Sequence, residues 1–449
     1  MANLIPNGSF THGPIGQVPD GWECRIPNPV LAPVVRLARQ HDAQALVIEG
    51  AGEPDCIGWL TASFPIEGGK TYRLSVSFRM SEEIDPNANL LFAFVAPGLN
   101  NGVFRFTKVD DGLVQGENRF FVPGSGTITG EVRILFTWCA HGTVSIHEIC
   151  MEECAPILSR PVRIACTSGL TDMAGWEKVL DASGAESVDL VLLPEAIAGP
   201  EDAETLDGPS PTLMREKAAQ YRMHVAGGFL LREAEGDRTY NVAALFGRSG
   251  ELIGLYRKNH LYITELLAGA TPGTEVPVFQ TDFGKVGIAI CYDSFFTDLF
   301  ELQALKGAEI ILLPGAGYYR SLLPARAADN GVRIVASSWV DGYGIWDTSG
   351  FDVTGQYVDS SRRCACAGMA NMLKTGIVHG TQLFHCDASG RRKTDGEMEI
   401  LIASLDLSMS AAPHGGGPMG SGPGGHRNRR EHRLLLDEIK REYARWWEE

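Results

Sequence analysis

The sequence lacks several features that would place it in whole classes of protein. Nowhere do about 18 uncharged apolar residues run together, so no membrane-spanning helix is expected. The opening MANLIPNGSF has no basic stretch followed by an apolar one, so no secretory leader is read there. Positive charge is in short supply: 39 Lys and Arg stand against 55 Asp and Glu, a net charge of −16. With no overall positive field to gather phosphates, neither nucleic acid nor an anionic membrane is expected as a partner. The 10 cysteines include no pair of C-x-x-C motifs, so no metal is expected, and idle thiols in a reducing, cytoplasmic setting are the reading. What remains is ordinary globular material, 449 residues of which 44% are hydrophobic and 21% charged. That length suits about two or three domains that need no disulfides.

Residues 1–157 carry short runs rich in β-branched and aromatic residues, among them TYRLSVSFRM, NLLFAFVA, EVRILFTW and GTVSIHEI, separated by Gly, Pro, Asn and Asp clusters. Tyr72, Leu74, Val76 and Phe78 alternate with polar neighbours, as a strand does when one face meets a core and the other meets water. An antiparallel β-sandwich is the expectation. NLIPNGSF followed by PDGW resembles the first strand of carbohydrate-binding jelly-roll modules, which implies a jelly-roll-like fold and a carbohydrate as a candidate partner of this region. Trp22 is the aromatic that a sugar would stack on, but the reading favours it as a core residue, because sandwiches host many functions.

From residue 158 to 410 the grammar changes to strands alternating with helical segments. VRIACTS, TDMAGWEKVLDAS, VDLVLLPE, PTLMREKAAQYRM and HVAGGFLL follow one another. VDLVLL and EIILLP are apolar on both faces, as strands buried inside a layered α/β domain require. TYNVAALFGRSGELIGLYRK reads as a hairpin turned at Arg248-Ser249-Gly250. Residues 411–449 open with a Gly- and Pro-rich extension and end in a charged segment with helical periodicity through Leu435, Ile439 and Tyr443.

Three segments carry candidate chemistry. VLLPE places Glu195 directly after a buried strand, LYRKNHL places Lys258 at the end of a hairpin strand, and VGIAICYDSFF places Cys291 where an apolar strand stops. Strand ends in α/β proteins hold side chains rigidly beside adjustable loops. Singly, each residue has a plain structural explanation: a helix-start charge, a solvated strand end, a small core side chain. Together, in this order and these contexts, they resemble the carbon-nitrogen hydrolase (nitrilase) superfamily over about Val162 to Leu407. The resemblance implies an αββα four-layer sandwich, a Glu195-Lys258-Cys291 triad, and a second glutamate after the lysine. Glu265, seven residues beyond Lys258, is the nearest match, with Glu275 as the alternative.

The residue types suit the chemistry in their own right. An amide carbon is a poor electrophile, so hydrolysis runs faster through a thioester, and a thiolate is the strongest side-chain nucleophile near neutral pH. Cys291 is the expected nucleophile and Glu195 its base, while Lys258 and the backbone N–H of Tyr292 form the expected oxyanion site. No cofactor is needed. Tyr318, Tyr319 and Arg320, just after the strand EIILLPG, are candidate substrate contacts. Arg326 and Asn330 are read as structural. Residues 341–379 are read as an insertion whose Cys364 and Cys366 are idle. The expected function is hydrolysis of a small amide or carbamoyl compound by a homo-oligomer. The alternatives are a nitrilase of the same fold and a non-catalytic sugar-binding protein.

Overall fold

The computed structural model describes residues 3–339, except 41–42, 104–105, 110–111, 170–171, 197–201, 234–237 and 317–321, and then 344–346, 357–359, 362–365, 399–408, 437–442 and 444. The chain divides into two compact units, Met1–Leu158 with Ala412–Glu449, and Ser159–Ala411.

The first unit is built from β1 (Glu23–Arg25), β2 (Val34–Gln40), β3 (Ala43–Glu49), β4 (Ile57–Met80), a single helical turn α1 (Pro86–Asn89), β5 (Leu90–Ala96), β6 (Leu99–Val103), β7 (Phe106–Lys108), β8 (Val114–Thr137) and β9 (Thr143–Glu153). Every pairing is antiparallel, in the order β2-β3-β9-β4-β8-β5-β6, with β1 on β4 and β7 on β8. The 24-residue strands β4 and β8 run side by side from Ile57↔Thr137 to Phe78↔Val114, with a register shift at Gly68/Lys70. A Cβ on Gly68 would lie 2.8 Å from the Gly124 carbonyl carbon, so only glycine lets the two strands cross there. Tyr72, Leu74, Val76 and Phe78 all point into one apolar core with Phe92, Phe94, Ile134 and Phe136. Trp22 belongs to that core: it lies 5.5 Å from Phe10, and its Nε1–H donates to the Pro6 carbonyl at 3.1 Å. Its ring is therefore packed against protein and offers no sugar platform.

The second unit contains β10 (Pro161–Ser168), α2 (Met173–Ala185), β11 (Leu190–Leu192), α3 (Pro209–Tyr221), β12 (His224–Glu233), β13 (Arg238–Phe246), β14 (Leu252–Arg257), α4 (Ile263–Leu267), β15 (Val278–Gln280), β16 (Lys285–Ile288), α5 (Thr297–Leu305), β17 (Ile310–Gly315), α6 (Leu322–Asn330), β18 (Arg333–Ser338), β19 (Gly344–Trp346), β20 (Tyr357–Asp359), β21 (Arg362–Ala365) and β22 (Glu399–Asp406). The order is β14-β13-β12-β11-β10-β18-β17-β16-β15, with β22 on β10 and β19 on β18. β10 meets β18 at one pair only, Ser168↔Ser338, whereas it pairs with β22 over its whole length. The sheet divides at that point, and its halves lie face to face, β12 against β17 and β14 against β15. Trp176, Val179 and Leu180 of α2 and Met214 and Ala218 of α3 cover one half. Leu299, Phe300 and Ala304 of α5 and Leu323 and Ala327 of α6 cover the other. The result is an α/β sandwich with strand layers inside and helices outside.

Strands β11 and β17 are buried along their whole length, the reason VDLVLL and EIILLP carry no polar face. The β13–β14 hairpin turns through Gly250, whose φ of 84° favours glycine. Within 341–379 the described parts are β19 and the antiparallel pair β20–β21; the rest of that segment lies outside the described residues. Of the C-terminal segment, residues 437–442 and 444 are helical. Among the described residues, no helix is long and apolar enough to cross a membrane.

Candidate active site

Glu195, Lys258 and Glu265 converge, each delivered by a different element. Glu195 follows β11 by way of Leu193 and Pro194, and this stretch stays paired with β12: the Leu193 N–H donates to the Ala226 carbonyl at 2.8 Å and the Gly228 N–H to the Pro194 carbonyl at 3.0 Å. A Cβ on Gly228 would sit 2.7 Å from the Glu195 Cα, so glycine is required for that approach. Lys258 directly follows β14. Its N–H donates to the Asn241 carbonyl at 2.9 Å and its own carbonyl accepts from the Gly273 N–H at 2.8 Å, which pins the backbone on both sides. Glu265 lies in the short helix α4, and its Oε2 accepts from the Tyr262 N–H at 2.6 Å.

The Lys258 ammonium donates to Glu195 Oε1 at 2.8 Å and to Glu265 Oε2 at 2.7 Å. Lys258 is 1% exposed and Glu195 5%, so this is a buried cluster of two carboxylates around one ammonium. Burial pulls the lysine's pKa down, but the charges of Glu195, Cys291 and Glu265 pull harder the other way, and the group is held above its ordinary range. Lys258 therefore stays protonated at physiological pH. Glu195 Oε2 accepts from the Ala316 N–H at 2.8 Å, and the Asn241 amide donates to Glu195 Oε1 at 2.7 Å and also to Glu265 Oε1. The Trp339 indole N–H donates to the Glu195 backbone carbonyl at 3.2 Å. A carboxylate with this many donors is fixed in orientation.

Cys291 opens a 3₁₀ turn, Cys291–Phe295, after β16. Its φ is 44°, in the left-handed region that a residue with a side chain occupies at a cost of about 1–3 kcal/mol. The turn is held by Asp293, which is fully buried. Its Oδ2 accepts from the Ile290 N–H at 2.9 Å and the Tyr256 hydroxyl at 2.8 Å, and its Oδ1 accepts from the His260 N–H at 3.0 Å and pairs with His260 Nδ1 at 2.8 Å. Tyr256 and His260 flank Lys258 by two residues on either side, so one carboxylate ties the lysine's loop to the cysteine's turn. Burial and the neighbouring Asp293 push the Tyr256 phenol far above its ordinary range, keeping it a donor. Arg326 of α6 donates to the Ser294 carbonyl at 3.3 Å and so braces the turn, while the Asn330 amide donates to the Arg326 carbonyl at 2.8 Å within α6. Burial lowers the Arg326 pKa, with Asp329 opposing.

Tyr292, Phe295 and Phe296 form an aromatic rim with Tyr262, and His260 stacks on Phe296 at 3.7 Å. Tyr318, Tyr319 and Arg320 lie outside the described residues. Glu275 is absent from the cluster just described, and Glu265 is the second carboxylate on Lys258. Asn241, Asp293 and the Ala316 N–H were not singled out in the sequence. For Asn241 a signal was there to be used, one amide inside the apolar strand run VAALF and its approach. Among the described residues, no group of His, Cys, Asp and Glu could hold a metal ion.

The site thus joins a buried Glu-Lys-Glu cluster to a cysteine turn, and comparison with known proteins places the stretch that carries it in a family. Residues 165–367 match the carbon-nitrogen hydrolase family, so the second unit of this chain is a carbon-nitrogen hydrolase domain of the nitrilase superfamily. Omega-amidase NIT2-B of Xenopus laevis is 31% identical over 183 residues, 36% of this chain and 66% of that protein. A chloroplastic omega-amidase of Arabidopsis thaliana is 31% identical over 193 residues, 36% of this chain and 51% of the other. The chain spans 65–66% of the length of three omega-amidases that it matches, from Xenopus laevis, Danio rerio and Xenopus tropicalis, a little under two thirds. Among solved structures, Saccharomyces cerevisiae Nit3 of the nitrilase superfamily aligns with 22% identity and a TM-score of 0.42, covering 56% of this chain and 92% of its own.

Proposed function

We propose that the protein hydrolyses a carbon–nitrogen bond in a small, non-peptide amide or carbamoyl compound through a thioester on Cys291. The observation that carries this reading is the buried Lys258 ammonium held between Glu195 and Glu265, with Cys291 at φ 44° on a turn that Asp293 ties to the lysine's loop. In this reading Glu195 takes the thiol proton as Cys291 Sγ attacks the carbonyl carbon. The C=O electron pair moves to oxygen, and the oxyanion is met by Lys258 and the Tyr292 N–H. An ammonium has three N–H donors; the two carboxylates take two, and the third is assigned to the oxyanion. Collapse re-forms the carbonyl and breaks the C–N bond, and ammonia or amine leaves with the proton from Glu195. Water, deprotonated by Glu195, then attacks the thioester and releases the acid and the thiol. Glu265 keeps Lys258 aimed between these events. No step calls for a cofactor.

Tyr318, Tyr319 and Arg320 are proposed to line the substrate's far side. Amides are proposed over nitriles because Cys291-Tyr292-Asp293 lacks the Trp-Glu that follows the nucleophile in typical nitrilases, and because a site with fixed donors suits an oxyanion better than a linear nitrile's planar thioimidate. A homo-oligomer is proposed as well; on the outer helix α5, Leu302 and Leu305 are 41% and 51% exposed, which suits burial against another copy. The N-terminal unit is proposed as a jelly-roll-like accessory that takes no part in the chemistry; a carbohydrate bound there would need a surface other than Trp22.

The test is intact-protein mass spectrometry with a slowly hydrolysed amide, joined to ammonia release from matched amides and nitriles of the same carbon skeleton. Wild type should show an acyl adduct and Cys291→Ala none. Turnover by Cys291→Ala would falsify the mechanism, and faster release from the nitriles would favour a nitrilase.

A further inference from the structure

Asn241 sits inside β13, 3% exposed, paired across the ladder with Leu230. Its backbone carbonyl accepts from the Lys258 N–H, and its side-chain nitrogen donates to Glu195 and Glu265 at once. Which way the amide points is decided by those partners, since the opposite orientation would set its oxygen against two carboxylates. The cost of this arrangement is visible: among the described residues, the buried Asn241 side-chain oxygen has no hydrogen-bond partner. A purely structural position in a buried strand would be better served by an apolar side chain.

The geometry points to Asn241 as a positioning residue that holds the Glu195 and Glu265 carboxylates apart around Lys258 without adding charge. The inference rests on the proposed role of Glu195 as base. Two carboxylates and one ammonium leave the cluster one negative charge, which is capacity for one proton, the proton that must travel from thiol to leaving group. A third carboxylate in place of the amide would add repulsion, and a second cation would remove that capacity. A neutral double donor meets both needs. Glu195 meets Lys258 from the end of β14 and the Ala316 N–H after β17, Lys258 in turn meets Glu265 from α4 and lies within the electrostatic reach of Cys291, and Asp293, Tyr256 and His260 are bonded to one another on the lysine's loop and the cysteine's turn.

The experiment uses the full-length chain as Asn241→Leu, which removes the donor at similar size, and Asn241→Asp, which is isosteric and adds a charge. Two profiles are measured against pH: kcat and KM for an amide that the wild type hydrolyses, and the alkylation rate of Cys291 by iodoacetamide, followed by peptide mapping. Losing a hydrogen bond to a charged carboxylate raises its pKa, so in Asn241→Leu the acid limb of both profiles should move up by about one pH unit. kcat should fall about tenfold with KM little changed, the pattern of a group that acts on the reacting residues and not on bound substrate. Asn241→Asp should shift the limb further in the same direction. Two variants with wild-type circular dichroism and unshifted profiles would overturn the inference, and so would failure of both to fold, which would make Asn241 a residue of the fold alone. If the wild type turns over no amide, the proposed function falls, while the alkylation profiles still decide the role of Asn241.

Discussion

The two units solve opposite problems with their interiors. Among the described residues of the N-terminal unit no Asp, Glu, Lys, Arg or His is buried; its polar interior is limited to Thr61, Thr71, Asn89, Asn101 and Ser145. The hydrolase unit buries Glu195, Lys217, His224, Lys258, Asp293, Arg326 and Arg333. Removing a charge from water costs several kcal/mol on the order-of-magnitude scale unless partners replace the solvent. The first unit is filled for shape, and the second gives up part of its stability to hold charges inside, Glu195, Lys258 and Asp293 among them at the candidate site. The difference teaches where to look for function: it lies where a fold tolerates buried charge and supplies every partner for it.

The sharpest way to break this contrast is to damage each interior separately. Glu195→Gln keeps the volume and removes the proposed base, so kcat should fall by about 10²–10⁴-fold in steady-state assays while the thermal unfolding midpoint changes little. Lys258→Met should act on both axes. It leaves Glu195 and Glu265 buried together without their cation, and stability should drop by about 3–5 kcal/mol in denaturant unfolding, alongside loss of turnover. Phe92→Ala, in the core of the first unit, should cost about 3–5 kcal/mol of that unit's stability and leave kcat per folded molecule unchanged. A fall in kcat there would mean that the first unit shapes the site.

A chain beginning at Ser159 sharpens the same question. It should retain measurable amide turnover if it assembles, because Glu195, Lys258, Glu265 and Cys291 all lie beyond that point. The smallest effect concerns Asp406 at the end of β22. Partial burial would raise its pKa, but hydrogen bonds from Ser408, the Arg160 N–H and Ser159 outweigh it and hold the group at about 2, below its ordinary 3.8. A depressed carboxylate pKa stabilises the fold fully above the unfolded value and less as pH falls through the folded one. Asp406→Asn should therefore flatten the acid end of a melting-temperature profile between about pH 4 and 2, and leave neutral pH with a slight loss.

The strands of both units were readable in advance because burial leaves a period in the chain: Tyr72, Leu74, Val76 and Phe78 alternate, and VDLVLL and EIILLP do not, and both patterns match the faces those strands bury. Glu195, Lys258 and Cys291 were readable because each stands where an apolar run breaks off, and their local contexts match a known family. Glu265 was found with an alternative still open, since spacing on a loop does not say which of two glutamates turns inward. Asp293 was quoted beside the cysteine without a role, and Asn241 and the Ala316 N–H were passed over.

Sequence by itself determined the strand and helix periods, the shortage of positive charge, and the placing of a Glu, a Lys and a Cys where apolar strand runs end. Only the tertiary structure decided that one lysine serves two carboxylates, and that Trp22 faces a core. It alone brought an amide 46 positions from Glu195, and a backbone N–H 121 positions away, onto the same carboxylate. The reason is physical. Periodicity records which face of an element is dry, a property each residue carries locally, whereas a hydrogen bond between distant segments exists only once the sheet has divided and brought their ends together.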